Sequence, residues 1–104
     1  MLKKFIIERE VPGIGAKSSI EMGEVAQISN GALGQLSGIQ WQQSFVTADK
    51  TYCVYIAENE ALIREHARLS GFPANKITEV ITVIDPATEQ QCRFAHPMRD
   101  VATN

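Results

Sequence analysis

The sequence predicts an α+β fold in which the order βαββαβ builds a four-stranded antiparallel sheet with both helices on one face. Three observations carry that prediction. Residues 39–57 read as two strands around a short polar turn, and they hold the only Trp and both Tyr. A strand ended by Pro12-Gly13 and a helix opened by Ser18 precede this hairpin. A helix opened by Asn59, stopped by Gly71 and followed by a run rich in Val, Ile and Thr comes after it. That alternation is the split-βαβ, or ferredoxin-like, arrangement.

The first strand spans residues 3–11, where Phe5, Ile7 and Arg9 fall on one face and Lys4, Ile6, Glu8 and Glu10 on the other. Proline cannot donate to a ladder and glycine permits a turn, so Pro12-Gly13 ends it. Ser18 and Glu21 have the spacing of a capping box. Met22, Val25, Ser29, Ala32 and Leu36 then follow at helical spacing, widened by Ile28 and Leu33, which predicts a helix over 19–35. Gly23, Gly31 and Gly34 weaken that helix, so packing must hold it.

The hairpin turn falls at residues 47–50, and its length decides which side chains share a face. An even loop pairs Phe45 with Tyr52, Gln43 with Val54 and Trp41 with Ile56. That register segregates apolar from polar residues best. It assigns Trp41, Phe45, Tyr52, Val54 and Ile56 to the helix-covered core, and Gln40, Gln42, Ser44, Cys53 and Tyr55 to the open face. Leu62, Ile63, His66, Leu69 and Ser70 form the inner side of the second helix, over 60–70, with Gly71 at its C′ position. Residues 76–85 make the fourth strand, and Pro86 stops it.

With 104 residues there is room for one domain, expected over 1–86, and a polar tail over 87–104. A chain this short buries a modest fraction of its surface, so a second copy on the open sheet face is a natural supplement. The net charge of −2 makes no electrostatic case for nucleic acid or an anionic membrane. Residues 1–11 offer only Phe5, Ile6 and Ile7 between charges, too short an apolar run for a signal peptide or a membrane span. Two cysteines, Cys53 and Cys92, are not a disulfide framework, and reduced thiols in a cytoplasmic protein are expected.

No catalytic constellation stands out. Gly13-Ile14-Gly15-Ala16-Lys17-Ser18 lacks phosphate-loop spacing, since Ala16 separates the second glycine from the lysine. It reads as a loop feeding a capped helix. His66 is the one histidine in the expected core, and a buried helical histidine with one hydrogen-bond partner is preferred to a ligand or proton carrier. Cys53, mid-strand, behaves as a small hydrophobe. Cys92, His96 and Met98 offer soft donors of the kind that hold copper or nickel, although a chance cluster in a tail is the preferred reading.

Three segments carry a family resemblance: Lys50-Thr51-Tyr52-Cys53-Val54-Tyr55, Ile63-Arg64-Glu65-His66-Ala67, and Gly71-Phe72-Pro73 leading into Ile77-Thr78-Glu79-Val80. Over residues 5–85 the chain resembles small bacterial proteins of unassigned function that are often labelled nickel-binding-like. The resemblance implies a ferredoxin-like, dimeric α/β-barrel fold. It also implies a divalent metal such as nickel, for which His66 is the one histidine in the matching region.

The expected protein is therefore a cytoplasmic homodimer that binds a small ligand or a nickel-like metal at the sheet face near the dimer interface. Its expected site draws on Glu8, Gln42, Ser44 and Tyr55, with His66 as metal ligand. A cofactor-free monooxygenase or isomerase and a purely structural interaction module are the alternatives, the first on fold analogy alone.

Overall fold

A computed structural model describes residues 1–95 of the chain. Strands β1 (Lys3–Glu10), β2 (Ile39–Val46), β3 (Lys50–Ala57) and β4 (Lys76–Val80) form one sheet in the order β2-β3-β1-β4, with every neighbouring pair antiparallel. Helices α1 (Ser19–Leu33) and α2 (Glu60–Ser70) follow β1 and β3. The fold is ferredoxin-like, as the order of elements predicts.

The caps lie where the residues place them. Ser18 Oγ accepts from the Glu21 amide at 3.2 Å, and Glu21 Oε1 accepts from the Ser18 amide at 2.9 Å. Asn59 caps α2 through the Leu62 amide, and Gly71 closes it with φ of 79°. On α1 the buried or half-buried side is Met22, Val25, Ser29, Ala32 and Leu33, while Ile28 is exposed.

From Gln43 to Ile56 the two faces of the hairpin are exchanged relative to the sequence expectation, while Gln40 and Trp41 keep their expected sides. Phe45 does pair with Tyr52 and Gln43 with Val54, but Trp41 pairs with Tyr55 and not with Ile56. Gln42 is the extra residue of a bulge between Trp41 and Gln43, and it turns Trp41 to the other side. The side of β3 is set by β1. Phe5, Ile7 and Arg9 are buried and stand opposite Tyr55, Cys53 and Thr51, and directly opposed residues share a face. Cys53, Tyr55, Ser44 and Trp41 therefore lie on the helix side. Phe45, Tyr52, Val54 and Ile56 lie with Ile6 on the open side, where Phe45 is 55% exposed. The core is Phe5, Ile7, Cys53, Tyr55, Ala57 and Ile63.

The fourth strand is shorter than residues 76–85. Val80 pairs with Lys4, and β1 begins at Lys3, so the ladder runs out of partner. Beyond it Ile81, Val83 and Ile84 are 87%, 65% and 75% exposed. The tail then folds locally into a 3₁₀ turn (Pro86–Thr88) and a helix, α3 (Glu89–Ala95). Asp85 Oδ1 accepts from the Ala87 amide and Thr88 Oγ1 from the Asp85 amide, a capping exchange that the residues Asp85-Pro86-Ala87-Thr88 encode. The Cα radius of gyration is 17.9 Å, against roughly 13 Å for a compact chain of this length.

The loop after β1 is fastened to the hairpin turn. Val11 and Gly15 donate to the carbonyls of Asp49 and Ala48, and the Gly13 amide donates to Asp49 Oδ1. A Cβ on Gly15 would lie 2.6 Å from the Thr47 carbonyl oxygen and 2.8 Å from Ala48 Cα, so that position excludes a side chain. Gly23, within α1, has nothing within 4 Å. Gly15→Ala is expected to destabilise the fold by about 1–3 kcal/mol. Gly23→Ala is expected to stabilise it by up to about 1 kcal/mol. Urea midpoints for the two variants check both signs.

Candidate functional site

Between helix α1 and the sheet lies a cavity of about 330 Å³, with the short side chains Thr51, Cys53 and Ser44 in its lining. Met22, Val25, Ala26 and Ser29 of α1 roof it, and Trp41 and Tyr55 wall it on the sheet side. Ile14 and Lys17 stand at one edge and Phe72 at another. The volume falls within the range of small-molecule sites and corresponds to about ten water volumes at ~30 Å³ each.

Arg9 contributes the charge. It is 2% exposed, although the alternation of β1 carries it into the same buried row as Phe5 and Ile7. Nη1 donates to the Pro73 carbonyl oxygen at 2.6 Å, and the guanidinium carbon sits 5.9 Å from the Phe72 ring centroid, a cation–π contact. Nη2 is fully buried and has no hydrogen bond of standard geometry among the described residues, while the guanidinium lies close enough to the Tyr55 hydroxyl to favour its ionised form. Among the described residues no carboxylate forms an ion pair with it. A buried charge left unpaired costs several kcal/mol, so the segment Phe72-Pro73 and the surrounding packing hold Arg9 against a substantial penalty.

Beside the cavity, three polar side chains tie α1, β3 and α2 together. Ser29 Oγ lies 3.3 Å from the Tyr55 hydroxyl and 3.2 Å from His66 Nε2. Nε2 is also 3.3 Å from the Ser29 carbonyl oxygen, which can only accept, so the tautomer carrying its proton on Nε2 satisfies the contact. His66 Nδ1 is buried without a partner. Burial lowers the His66 pKa below its ordinary value, and the positive charge of Arg9 lowers it further, against a smaller opposing contribution from the Ser29 backbone. Burial raises the pKa of Tyr55, partly offset by its hydrogen bond to Ser29 and the charge of Arg9. Both groups are neutral near pH 7. The Tyr55 ring stacks against Trp41, centroids 6.4 Å apart, and tilts against His66 at 5.0 Å.

The expected site residues separate. Ser44 and Tyr55 line the cavity, with Ser44 Oγ accepting from Trp41 Nε1 at 3.0 Å. They do so from the helix side and not from the open face. Glu8 lies on the opposite face, 3.9 Å from Lys50 Nζ in an ion pair. Gln42 is exposed in the bulge. Arg9 and Ser29 were not singled out by sequence reasoning. The available signal for Arg9 was its phase, a cation following Phe5 and Ile7 in one row, while Lys4, Glu8 and Glu10 fall in the other.

Among the described residues no three of His, Cys, Asp and Glu come together as a metal-holding group. His66 directs Nε2 at Ser29 and has a guanidinium as its nearby charge. Nickel at an N/O site wants further imidazole or carboxylate donors and a neutral or negative surrounding, so the donor set does not fit. Cys92 is exposed on α3, and His96 and Met98 lie outside the described residues.

The buried histidine predicts a pH dependence. Its folded pKa is depressed, so below the ordinary value of 6.5 the unfolded chain binds a proton that the folded chain resists. The contribution to stability is complete above pH 6.5 and is lost as the pH falls from there toward the lower folded value. Glu21 and Glu65, lowered from the ordinary 4.5 by their hydrogen bonds to Ser18 and Arg68, titrate below this window. The urea midpoint is expected to fall between pH 6.5 and 5, with a slope approaching ~1.4 kcal/mol per pH unit. In His66→Gln that slope is expected to flatten.

The model of one protein family, nickel responsive protein SCO4226-like, matches residues 5–80. The crystal structure of SCO4226 from Streptomyces coelicolor A3(2) superposes with a TM-score of 0.64 at 20% identity, covering 78% of this chain and 99% of that one. At that identity the superposition speaks for the fold alone. No curated protein matches the chain. No helix among the described residues is long and apolar enough to cross a membrane. The family match runs through all four strands and both sheet-covering helices, and on that extent the chain belongs to the SCO4226-like family of nickel-responsive proteins.

Proposed function

We propose that this protein is a homodimeric small-molecule binder, with the ligand held in the chamber between α1 and the sheet and the partner seated on the opposite sheet face. One observation carries the ligand half: a cavity of about 330 Å³ between α1 and the sheet, lined mostly by apolar side chains with Ser29, Ser44, Thr51 and Tyr55 among them. An apolar cavity of this size with a few polar side chains along its wall is the form that small-molecule sites take. The sequence reading put this site at the open face, and the exchange of hairpin faces moves the proposal to the other side of the sheet. Nickel, which stands in the family's name, enters no step of the proposal because the described donors do not fit it.

A cofactor-free enzyme is supported less well. Ser29 borders the cavity and touches His66 Nε2 at 3.2 Å, which resembles the start of a hydroxyl–imidazole relay. Such a relay needs a third group to orient the imidazole, and His66 Nδ1 has none among the described residues. Positioning without an oriented base favours binding over turnover.

The dimer half rests on the open face. Ile6, Tyr52, Val54, Ile56 and Phe45 stand together there, and Ile81, Val83 and Ile84 leave the sheet edge exposed. An apolar sheet face of this kind is ordinarily covered, and a self-complementary face suits a twofold pair.

Two measurements test these halves separately. Trp41 is the only Trp and lines the cavity, so its fluorescence is expected to change when members of a panel of small aromatic and aliphatic compounds bind. Ala26→Phe, which fills the roof, is expected to abolish the response and leave the circular dichroism unchanged. Sedimentation of the wild-type chain as a dimer is expected, and Val54→Asp at the centre of the open face is expected to sediment as a monomer with unaltered far-UV circular dichroism. A monomeric wild type would remove the dimer half.

A further inference from the structure

Resting on the cavity reading above, we infer the class of ligand: an uncharged molecule of about twelve carbons, almost wholly hydrocarbon, held between α1 and the sheet.

The one buried charge stands behind the wall and not in it. Arg9 is 2% exposed, its Nη1 donates to the Pro73 carbonyl oxygen at 2.6 Å, and its Nη2 is fully buried. The guanidinium therefore offers an occupant almost no surface, although its positive charge lies close by. An ammonium in the chamber would feel that charge as repulsion, with no carboxylate among the described lining residues to offset it. A carboxylate would leave water and meet no accessible cation in return. Lys17 stands at the edge, largely exposed, with its Nζ 3.9 Å from the Glu21 carboxylate.

The hydroxyls of the wall are engaged within the protein. Ser29 Oγ lies 3.3 Å from the Tyr55 hydroxyl and 3.2 Å from His66 Nε2. Ser44 Oγ accepts from Trp41 Nε1 at 3.0 Å, and Thr51 Oγ1 accepts from the Cys53 thiol at 3.5 Å. The hydroxyl hydrogens of Ser44 and Thr51 are left over, enough for one uncharged acceptor. A sugar or a polyol would lose more hydrogen bonds to water than this wall returns.

The rest of the lining specifies the body. Met22, Val25 and Ala26 present hydrocarbon and thioether from α1, and Trp41, Tyr55 and Phe72 add three aromatic rings. Aromatic matter suits such a wall, since rings pack on rings and on methionine sulfur. An apolar cavity of ~150 Å³ holds one benzene, so about 330 Å³ accommodates roughly twice that, two fused rings with a short alkyl arm.

The test compares three probes of nearly one shape: 2-ethylnaphthalene, 2-naphthylmethylammonium and 2-naphthoate. Each is titrated into the isotopically labelled full chain at pH 7, with affinity read from amide chemical shifts. The neutral probe is expected to bind at least tenfold more tightly than either ion, with intermolecular NOEs to the Met22 and Val25 methyl groups. In Ala26→Phe those NOEs are expected to vanish; should that variant fail to fold, the NOEs in the wild-type chain still place the probe. Equal or tighter binding of either ion in the chamber overturns the uncharged class and leaves the small-molecule reading standing. NOEs to Phe45 and Val54 alone, on the open face, overturn the chamber as the place of this ligand. Failure of all three probes while Trp41 responds to the wider panel overturns the two-ring class and spares the cavity reading. Failure of all three with Trp41 silent to that panel removes the cavity reading and this inference with it.

Discussion

The antiparallel register of β1 against β3 is the constraint on which the rest of this structure depends. It sets Phe5 opposite Tyr55, Ile7 opposite Cys53 and Arg9 opposite Thr51, and thereby chooses which side of the sheet the helices cover. A slip of β1 by one residue would send its three side chains to the other face and bring Lys4, Ile6 and Glu8 inward. With the register as it is, the covered side ends in a cation. The small residues across from it, Thr51 and Cys53, leave the volume that the cavity occupies. Charge and space at the site are thus two outcomes of one pairing.

Helix α1 could close that space if it settled onto the sheet, and the structure shows what holds it away. At its start, the capping box at Ser18 and the loop fastened to residues 47–49 fix where the helix enters. At its far end, Ser29 is buried against Tyr55 and His66, and Ala32 packs below. The helix is pinned at both ends of the cavity with a weakly apolar middle between the pins. Its glycines and small side chains contribute little burial there, so the hydrophobic drive to collapse is modest. The polar triad counters slippage, because sliding α1 by one residue would strand a buried hydroxyl, a phenol and an imidazole without their partners.

Much of this could be read from the chain before any coordinates. Ser18 with Glu21, Asn59 and Gly71 mark helix ends by local chemistry that tertiary context seldom overrides, and the helices begin and end within two residues of the expectation. The even hairpin loop was legible for the same reason: Phe45 against Tyr52 needs only the turn. The faces were not, because grouping apolar residues together says which side chains share a side and not which side the helices choose. Here the more apolar side of the hairpin is the open one, and the criterion that the greasier face must be the covered face fails. The bulge at Gln42 added a second inversion, since Gln42 and Gln43 carry no signal that distinguishes a bulge from a regular strand. Glu8 and Gln42 were separated from Ser44 and Tyr55 by these two inversions. The short helix α3 was missed although Asp85 and Thr88 carry a cap, because the residues after it lack an apolar stripe.

The position of Arg9 is the remaining step, because a sheet of this kind has a cheaper residue available at every buried position. Leucine or methionine in its place would extend the row of Phe5 and Ile7, shield the same area and remove an unpaired charge from the interior. Nor does the fold compensate Arg9 as a structural cation would be compensated. Glu8 and Glu10, its neighbours in the chain, fall on the other face by the alternation of the strand, and neither forms an ion pair with it. The carbonyl of Pro73 and the ring of Phe72 satisfy part of the guanidinium and fix its orientation, yet they leave Nη2 without a hydrogen bond of standard geometry. Arg9 is therefore a cost that the packing around it offsets, and the register of β1 that buries Phe5 and Ile7 buries the cation with them.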